Sequence, residues 1–365
     1  MTPAELSARF AARAAAADRA GVLPEADVAD LRASGYLRLA SPATFGGANA
    51  PLRSVVEAQT TLAAGSASSA LVAAMTLMLT GNARDVDAWS DERERLYDLV
   101  RGGALLNAVA SEPAMGSPSH GGLPATELRS ERDRCTLHGH KTWATGGAHL
   151  THLLVLAREG DRAVQVLVRN HAPGVRWERT WGDGLSLRAS DSHDVAFDGV
   201  AVEPSDVLRL RPGPKVRNVW FTLLLAATYL GSAVAAREAL VAHARERVPS
   251  ALGHPIAELP ALRRGVGELQ VMMHTALATL HDAAAGWDAR RDGADADAEI
   301  AKVVCVDVAT RVTEGTLRLA GGVGLGRGLA LERHFRDARA GFAHPPGVEA
   351  VYERQAALLF DGPTP

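Results

Sequence analysis

Hydrophobic and polar residues follow three patterns along the chain, and each pattern predicts a different class of element. Between residues 4 and 105 the apolar positions recur at helical spacing, with Pro24 placed to open one helix and Gly35 to close it. From Ala104 to Val207 short apolar runs alternate with turn residues, which is typical of β-strands. After Pro212 the helical spacing returns. The pattern therefore predicts a mostly helical α+β protein.

The predicted domains are a helical domain over residues 1–104, a small β-domain over 105–207 and a helical bundle over 208–365. Strands are predicted at residues 105–111, 135–143, 152–159, 163–169 and 193–202. The turn residues Glu159-Gly160-Asp161 predict a hairpin between the third and fourth of these strands. Long helices are predicted from Phe221 to about Arg247, from Leu262 to Leu280 and from Ile300 to Val312.

Composition narrows the class of protein without identifying it. A hydrophobic fraction of 47% and a charged fraction of 22% are those of an ordinary globular chain, long enough for two or three domains. The formal net charge of −3 offers no general attraction for nucleic acid or for an anionic membrane. Cys135, Cys305, His138 and His140 stand at no metal-ligand spacing, so we expect neither a disulfide framework nor a metal site.

The N-terminal segment and the most apolar run bear on localisation. Charged residues interrupt the alanine-rich N-terminal segment, which therefore lacks the apolar core of a signal peptide. The most apolar run, Trp220–Ala236, is shorter than the roughly 20 residues that cross a bilayer. We therefore expect a soluble cytoplasmic protein, which agrees with the low cysteine count.

The stretch from Ala108 to Gly146 carries the strongest sign of ligand binding. An apolar run ends in a Gly/Ser/Pro-rich loop, and a polar segment then leads to a Lys-Thr-Trp-Ala-Thr sequence. The small residues that let backbone N–H groups approach a flat or anionic ligand are Ser111, Gly116 and Ser117. Trp143 and Thr145 offer a ring face and a hydroxyl. Taken alone, the same stretch also fits an ordinary β-hairpin with a long turn.

Four motifs in the same order resemble those of the acyl-CoA dehydrogenase superfamily of flavoproteins. They are Leu23-Pro24 through Gly46-Gly47, Ser111-Glu112-Pro113 through Ser117, Gly139 through Thr145, and Gly321-Gly322-Val323-Gly324 followed by Phe335 through Arg339. The second is similar to the family's T-E-P-x-x-G-S loop and the third to its G-x-K-x-W-I-T sequence. The resemblance covers nearly the whole chain. It implies an N-terminal helical domain, a middle β-barrel domain and a C-terminal four-helix bundle.

The resemblance also implies a flavin site. The residues assigned to the flavin ring and to the loop beside its phosphate chain are Ala110 (backbone), Ser111 (hydroxyl), Trp143, Thr145, Gly116 and Ser117. The residues assigned to the adenine-diphosphate end of FAD, which a neighbouring subunit often supplies, are Arg247, Arg318, Gly321 and Gly322. The motif around Arg247 is incomplete, because Leu252 replaces its usual aromatic residue. FAD is the expected cofactor, and the incomplete motif leaves FMN as the alternative.

The catalytic carboxylate of the family's dehydrogenases is missing from both of its usual positions. One position holds Pro345, and the other falls in a stretch without Asp or Glu between Asp206 and Glu238. Abstraction of an α-proton from a thioester needs such a base. His344 is the preferred catalytic candidate, because a neutral imidazole accepts a proton or donates a hydrogen bond near neutral pH. Glu349, a short distance beyond, is the alternative base.

The His344-Pro345-Pro346 segment and Thr145-Gly146 resemble one branch of the superfamily, the monooxygenases similar to dibenzothiophene monooxygenase. In that branch reduced flavin from a separate reductase meets oxygen. A second histidine, often found in the first domain of that branch, is replaced in this chain near Thr76. Three hypotheses follow: a dehydrogenase using Glu349, an oxygenase using His344, and a non-catalytic flavin-binding or ligand-binding scaffold. Expected partners are an acyl-CoA or other small-molecule substrate, an electron acceptor or reductase, and further copies of the chain.

Overall fold

The computed structural model describes residues 1–86, 92–113, 122–131, 134–208 and 217–361. The predicted cofactor residues Gly116 and Ser117 lie outside these ranges, so their assignment stays a prediction. Helices account for 61% of the structure, and the strands form one mixed sheet. The predicted fold class, a mostly helical α+β protein, is confirmed.

In the described part of the chain, five α-helices precede the sheet: α1 (Pro3–Ala20), α2 (Glu25–Ser34), α3 (Leu52–Gly65), α4 (Ala67–Asp85) and α5 (Arg93–Arg101). Thr2 begins α1 with a capping box, in which its hydroxyl accepts the N–H of Glu5 and the Glu5 carboxylate accepts the N–H of Thr2. Pro24 and Gly35 delimit α2 as predicted, and Gly35 has a left-handed φ of 78° that favours glycine. α4 is buried along almost its whole length.

Among the described residues eight strands form the sheet: β1 (Leu106–Val109), β2 (Glu127–Glu131), β3 (Arg134–Ala144), β4 (His152–Glu159), β5 (Arg162–Arg169), β6 (Val175–Glu178), β7 (His193–Val202) and β8 (Val207–Leu208). Their order is β6-β7-β3-β2-β4-β5-β8, and β1 pairs in parallel with β4. Within the described residues the hydrogen-bonded ladder runs from β6 to β8 without closing. The predicted hairpin at 159–161 joins β4 to β5.

Over residues 217–361, five α-helices follow the sheet: α6 (Val219–Glu246), α7 (Pro260–Asp288), α8 (Ala294–Ala320), α9 (Leu331–Arg339) and α10 (Val348–Phe360). By length and composition alone, α6 passes for a membrane span, with a mean hydropathy of 1.7 over an 18-residue window. The expectation that its apolar run is too short is therefore corrected, because the helix extends beyond that run. Since 83% of the window is buried against other parts of the protein, α6 is the core helix of a soluble fold.

A loop at residues 184–192, here called the joining loop, ties the sheet to both helical parts of the chain. The N–H of Leu187 donates to Asp337 Oδ1 in α9 at 2.8 Å. Asp191 Oδ1 accepts the N–H of Leu23, which lies between α1 and α2, at 3.0 Å. All four residues are buried, and buried polar groups are stable only when they are hydrogen-bonded. The joining loop therefore fixes the sheet against α9 and the N-terminal helices.

Candidate active site

A bulge in β3 turns Trp143 out of the sheet. The register between β3 and β7 shifts between Lys141 and Ala144, and Trp143 has a φ of 57°, in the left-handed region that bulky residues rarely adopt. Trp143 as a residue is 58% exposed, although the neighbouring Ala144 is fully buried. A strained backbone that holds a large apolar ring in solvent is typical of a ligand contact. The exposed side chain of Trp143 is therefore a candidate contact for a flat ligand.

A buried ion pair anchors the loop that carries Ala110. Lys141 Nζ donates to Glu112 Oε1 at 2.7 Å and to the Ala110 carbonyl oxygen at 3.1 Å. The Glu112 carboxylate also accepts the N–H groups of Ala125 and Thr126. Burial by itself would raise the pKa of Glu112, but the hydrogen bonds from Lys141, Thr126 and Ala125 outweigh it and hold the pKa below its usual value. The carboxylate is therefore charged, and it fixes the loop.

Thr145 belongs to a short chain of hydroxyl groups that leads into the joining loop. Its Oγ1 lies 2.8 Å from Ser192 Oγ, which lies 2.7 Å from Ser190 Oγ. On the other side of Trp143, the N–H of Thr142 donates to the carbonyl oxygen of Ser111 at 3.0 Å. The predicted ring contacts thus lie around a single bulge. Together they form what we call the strand wall: Ala110, Ser111, Trp143 and Thr145.

The segment after α9 brings His344 against two helices of the bundle. The Tyr229 hydroxyl of α6 lies 2.5 Å from His344 Nδ1. Lys302 Nζ of α8 donates to the carbonyl oxygens of His344 and Pro346, at 2.8 and 2.9 Å. The Phe221 ring packs edge-on against the imidazole, with ring centroids 6.4 Å apart. We call Tyr229, Lys302 and His344 the helix wall.

Burial determines the protonation of the helix wall. Burial, assisted by the charge of Lys302 and opposed by the carbonyl of Ala340, lowers the pKa of His344 to about 4. Burial also lowers the pKa of Lys302 to about 8. Burial, together with the charge of Asp337, raises the pKa of Tyr229 well above its usual value. At neutral pH the helix wall therefore holds an ammonium, a phenol and an uncharged imidazole.

The helix wall contains no carboxylate at the positions where a dehydrogenase base was expected. The first position is Pro345, between the two carbonyl groups that Lys302 holds. Glu349 lies in the first turn of α10 and is exposed to solvent. Its assignment as a base stays a prediction.

The residues predicted for the adenine end of FAD lie at the far end of the bundle. Arg247 follows α6, and Arg318 lies in the last turn of α8, where Gly321 ends the helix with a φ of 66°. Both arginines and both Gly321 and Gly322 are exposed. At 1.5 Å per residue, the part of α6 from Tyr229 to Glu246 spans about 25 Å. One protomer therefore does not bring these four residues to its own helix wall.

Comparison with known proteins identifies the family. The model of the acyl-CoA dehydrogenase middle domain matches residues 107–200, and that of the acyl-CoA dehydrogenase C-terminal domain matches residues 223–346. YdbM of Bacillus subtilis (strain 168), whose name places it among the acyl-CoA dehydrogenases, is 32% identical over 359 residues, which cover 96% of this chain and 94% of YdbM. The chain belongs to the acyl-CoA dehydrogenase family.

Solved structures with the fold of this acyl-CoA dehydrogenase family member include enzymes of two kinds. One is the dibenzothiophene monooxygenase TdsC from Paenibacillus sp. A11-2 in complex with FMN and indole, with a TM-score of 0.86, 23% identity and coverage of 100% of this chain and 97% of TdsC. Another is butyryl-CoA dehydrogenase from Megasphaera elsdenii, with a TM-score of 0.86, 22% identity and coverage of 98% and 97%. The predicted resemblance is confirmed, but the fold does not decide the reaction.

Sequence reasoning assigned no role to four residues that hold this family member's two walls in place: Glu112, Lys141, Tyr229 and Lys302. One signal for two of them was available, because the chain has 39 basic residues but only three lysines. Lys141 and Lys302 are both fully buried. A lysine in an arginine-rich chain marks a position that needs a compact ammonium, since the planar guanidinium is larger and holds its donors in a rigid fork.

Proposed function

We propose that the chain is a flavin-dependent oxidoreductase that binds its flavin ring between the strand wall and the helix wall. The observation that carries this proposal is the exposure of Trp143, a bulky aromatic residue that lies at the bulge in β3 and is 58% exposed. Beside it, Thr142 Oγ1 is buried and has no hydrogen-bond partner within the described part of the chain. A flat ring system with a polar edge matches an open aromatic face next to an unused hydroxyl.

Each residue of the strand wall has a role in this proposal. The Ala110 backbone and the Ser111 hydroxyl would hold the pyrimidine edge of the flavin, and Thr145 would lie near its N5 atom. Trp143 would cover the ring and exclude water. When bound, the flavin supplies the two-electron redox chemistry. TdsC was solved with FMN, which supports a flavin here. FAD would need Arg247, Arg318, Gly321 and Gly322 of a second copy, whereas FMN would not.

Within this proposal, oxygenation by reduced flavin is favoured over dehydrogenation of an acyl-CoA. Removal of an α-proton requires a base, and the expected position is Pro345. The imidazole next to it, that of His344, is uncharged, and among the described residues it contacts a phenol and no carboxylate. Such a group is suited to holding an oxygen atom of the substrate by a hydrogen bond. The proposed substrate is a small organic molecule or an acyl thioester.

The proposed partners follow from the same site. A reductase would supply reduced flavin or electrons, and a second copy of the chain would complete the adenine end if the cofactor is FAD. A cytoplasmic location is proposed as well, because both cysteines, Cys135 and Cys305, are free thiols.

The test compares oxygen-dependent and anaerobic turnover in the purified full-length protein. We expect a yellow protein that consumes oxygen with reduced flavin and a substrate panel, and that loses this activity in His344→Ala but keeps it in Glu349→Gln. Anaerobic bleaching of the flavin by an acyl-CoA that is lost in Glu349→Gln would instead establish the dehydrogenase. A protein that binds neither FAD nor FMN would overturn the proposal and favour the scaffold.

A further inference from the structure

The Tyr229 hydroxyl lies against one nitrogen of the His344 imidazole. Among the described residues, the Tyr229 hydroxyl has a single hydrogen-bond partner, His344 Nδ1 at 2.5 Å. Tyr229 is fully buried, and its phenol keeps its proton at neutral pH. A buried O–H without an acceptor is costly, so this proton must point at Nδ1. An uncharged imidazole with an accepting Nδ1 carries its own hydrogen on Nε2.

Lys302 holds the backbone on which the imidazole is mounted. Its ammonium donates to the carbonyl oxygens on either side of Pro345, and it has no carboxylate partner within the described residues. Glu299, one turn earlier in α8, is paired with Arg354 and Arg217 instead. The positive charge of Lys302 therefore acts on the imidazole without neutralisation, and it opposes a second proton on the ring.

The turn before His344 packs closely on the bundle. A Cβ on Gly341 would lie 2.7 Å from Val306 Cγ1 and 3.2 Å from Tyr229 Cδ2, so only glycine permits this approach. On another side, the Phe221 ring meets the imidazole at an interplanar angle of 75°. The imidazole therefore lies between α6 and its own turn, where the Ala340 carbonyl also favours a hydrogen on the ring and the Tyr229 hydroxyl faces Nδ1.

We propose that Tyr229 and Lys302 are positioning residues that hold His344 as its Nε2–H tautomer, so that the imidazole donates a hydrogen bond to a substrate oxygen and does not remove a proton. The lone pair that a general base needs is on Nδ1, and the Tyr229 hydroxyl occupies it. This inference rests on the proposed function only for the identity of the acceptor, which would be an oxygen atom of the substrate. As a hydrogen-bond donor, His344 does not take over the task of the missing carboxylate base.

The tautomer can be measured directly in the full-length protein labelled with 15N in its histidine rings. Two-bond 1H–15N correlation spectra distinguish a protonated from an unprotonated ring nitrogen, and His344→Gln identifies the signals of His344. We expect protonated Nε2 and unprotonated Nδ1 in the wild type, and a mixture of tautomers in Tyr229→Phe. The matched control is Tyr36→Phe, which removes another buried hydroxyl, one bonded to Gln59. Protonated Nδ1 in the wild type, or an unchanged tautomer in Tyr229→Phe, would overturn the proposal.

The role of Lys302 is tested by the titration of the same signals. In Lys302→Met we expect the His344 midpoint to rise by one pH unit or more, because the neighbouring positive charge is gone. The buried His334 serves as an internal reference whose midpoint should stay the same, and thermal unfolding shows that the variant is folded. A folded variant with an unchanged His344 midpoint would refute the role of Lys302. Neither measurement needs flavin or substrate, so failure of the proposed function would show separately, as absent flavin binding.

Discussion

Lys141 and Glu112 form an ion pair of 2.7 Å in which the two side chains are 0% and 3% exposed. The same ammonium also donates to the Ala110 carbonyl oxygen and so fixes the position of the strand wall's backbone. A buried pair of this kind adds little net stability, because desolvation offsets the attraction. Its consequence is geometric, since neither partner can be removed without leaving a charge in the interior.

Lys141→Met is expected to lower the free energy of unfolding by about 3–5 kcal/mol, because the buried Glu112 carboxylate loses its counter-charge. The double variant Lys141→Met with Glu112→Gln should recover at least half of that loss, since no charge is then left in the interior. Urea unfolding followed by circular dichroism measures both. A single variant within about 1 kcal/mol of the wild type would show that the carboxylate tolerates isolation.

Trp143→Ala is expected to weaken flavin binding about tenfold, or about 1.4 kcal/mol, because the stacking face is lost. The free energy of unfolding should change by less than about 0.5 kcal/mol, since the ring is mostly in solvent. Titration of FMN by fluorescence quenching gives the Kd. Trp177→Phe, a substitution in β6 of the same sheet, is the control and should bind FMN like the wild type. Equal affinity in Trp143→Ala and the wild type would remove Trp143 from the site.

Acid is expected to destabilise the protein through His344. Burial lowers the pKa of His344 from 6.5 to about 4, so below pH 6.5 the unfolded chain takes up a proton that the folded chain refuses. Stability is therefore lost as the pH falls from 6.5 to 4, by about 3 kcal/mol for this group. Between pH 7 and pH 4 the free energy of unfolding should therefore fall less steeply with pH in His344→Gln than in the wild type. It should keep the wild-type slope in the control His171→Gln, which replaces an exposed histidine. The same dependence of the unfolding free energy on pH in the wild type and in His344→Gln would contradict a contribution of His344.

Arg318→Ala is expected to lower the affinity for FAD severalfold and to leave the affinity for FMN unchanged. Arg318 lies about 25 Å along the bundle from the helix wall of its own copy. It would therefore contact only the adenine end of FAD bound to a neighbouring copy, and FMN has no adenine end. Isothermal titration with each flavin measures the two constants, and FMN serves as the internal control. If both affinities fall equally, Arg318 acts on the flavin ring or on the fold; if neither falls, the cofactor makes no contact there.

The spacing of apolar residues and turn residues along the chain was sufficient to predict the helices and strands in which that spacing is regular. The predicted boundaries of α2 and of the β4–β5 hairpin are confirmed, and α6 begins and ends within a few residues of its predicted limits. The strands β2, β6 and β8 were not predicted. β2 is polar, β6 has only four residues and β8 has two, so none carries enough alternation to be recognised alone. Their pairing with longer strands is what makes them strands.

The sequence by itself determined the family, the flavin motif and the absence of a dehydrogenase carboxylate, because these depend on residue types at short spacing. Tertiary structure alone decided what surrounds His344, since Tyr229 is 115 residues away in the chain and Lys302 is 42 residues away. A hydrogen bond acts over about 3 Å, whereas the order of residues says nothing about which distant side chains reach that separation. Packing of α6, α8 and the turn after α9 brings a buried phenol and a buried ammonium to the one imidazole where the base was expected.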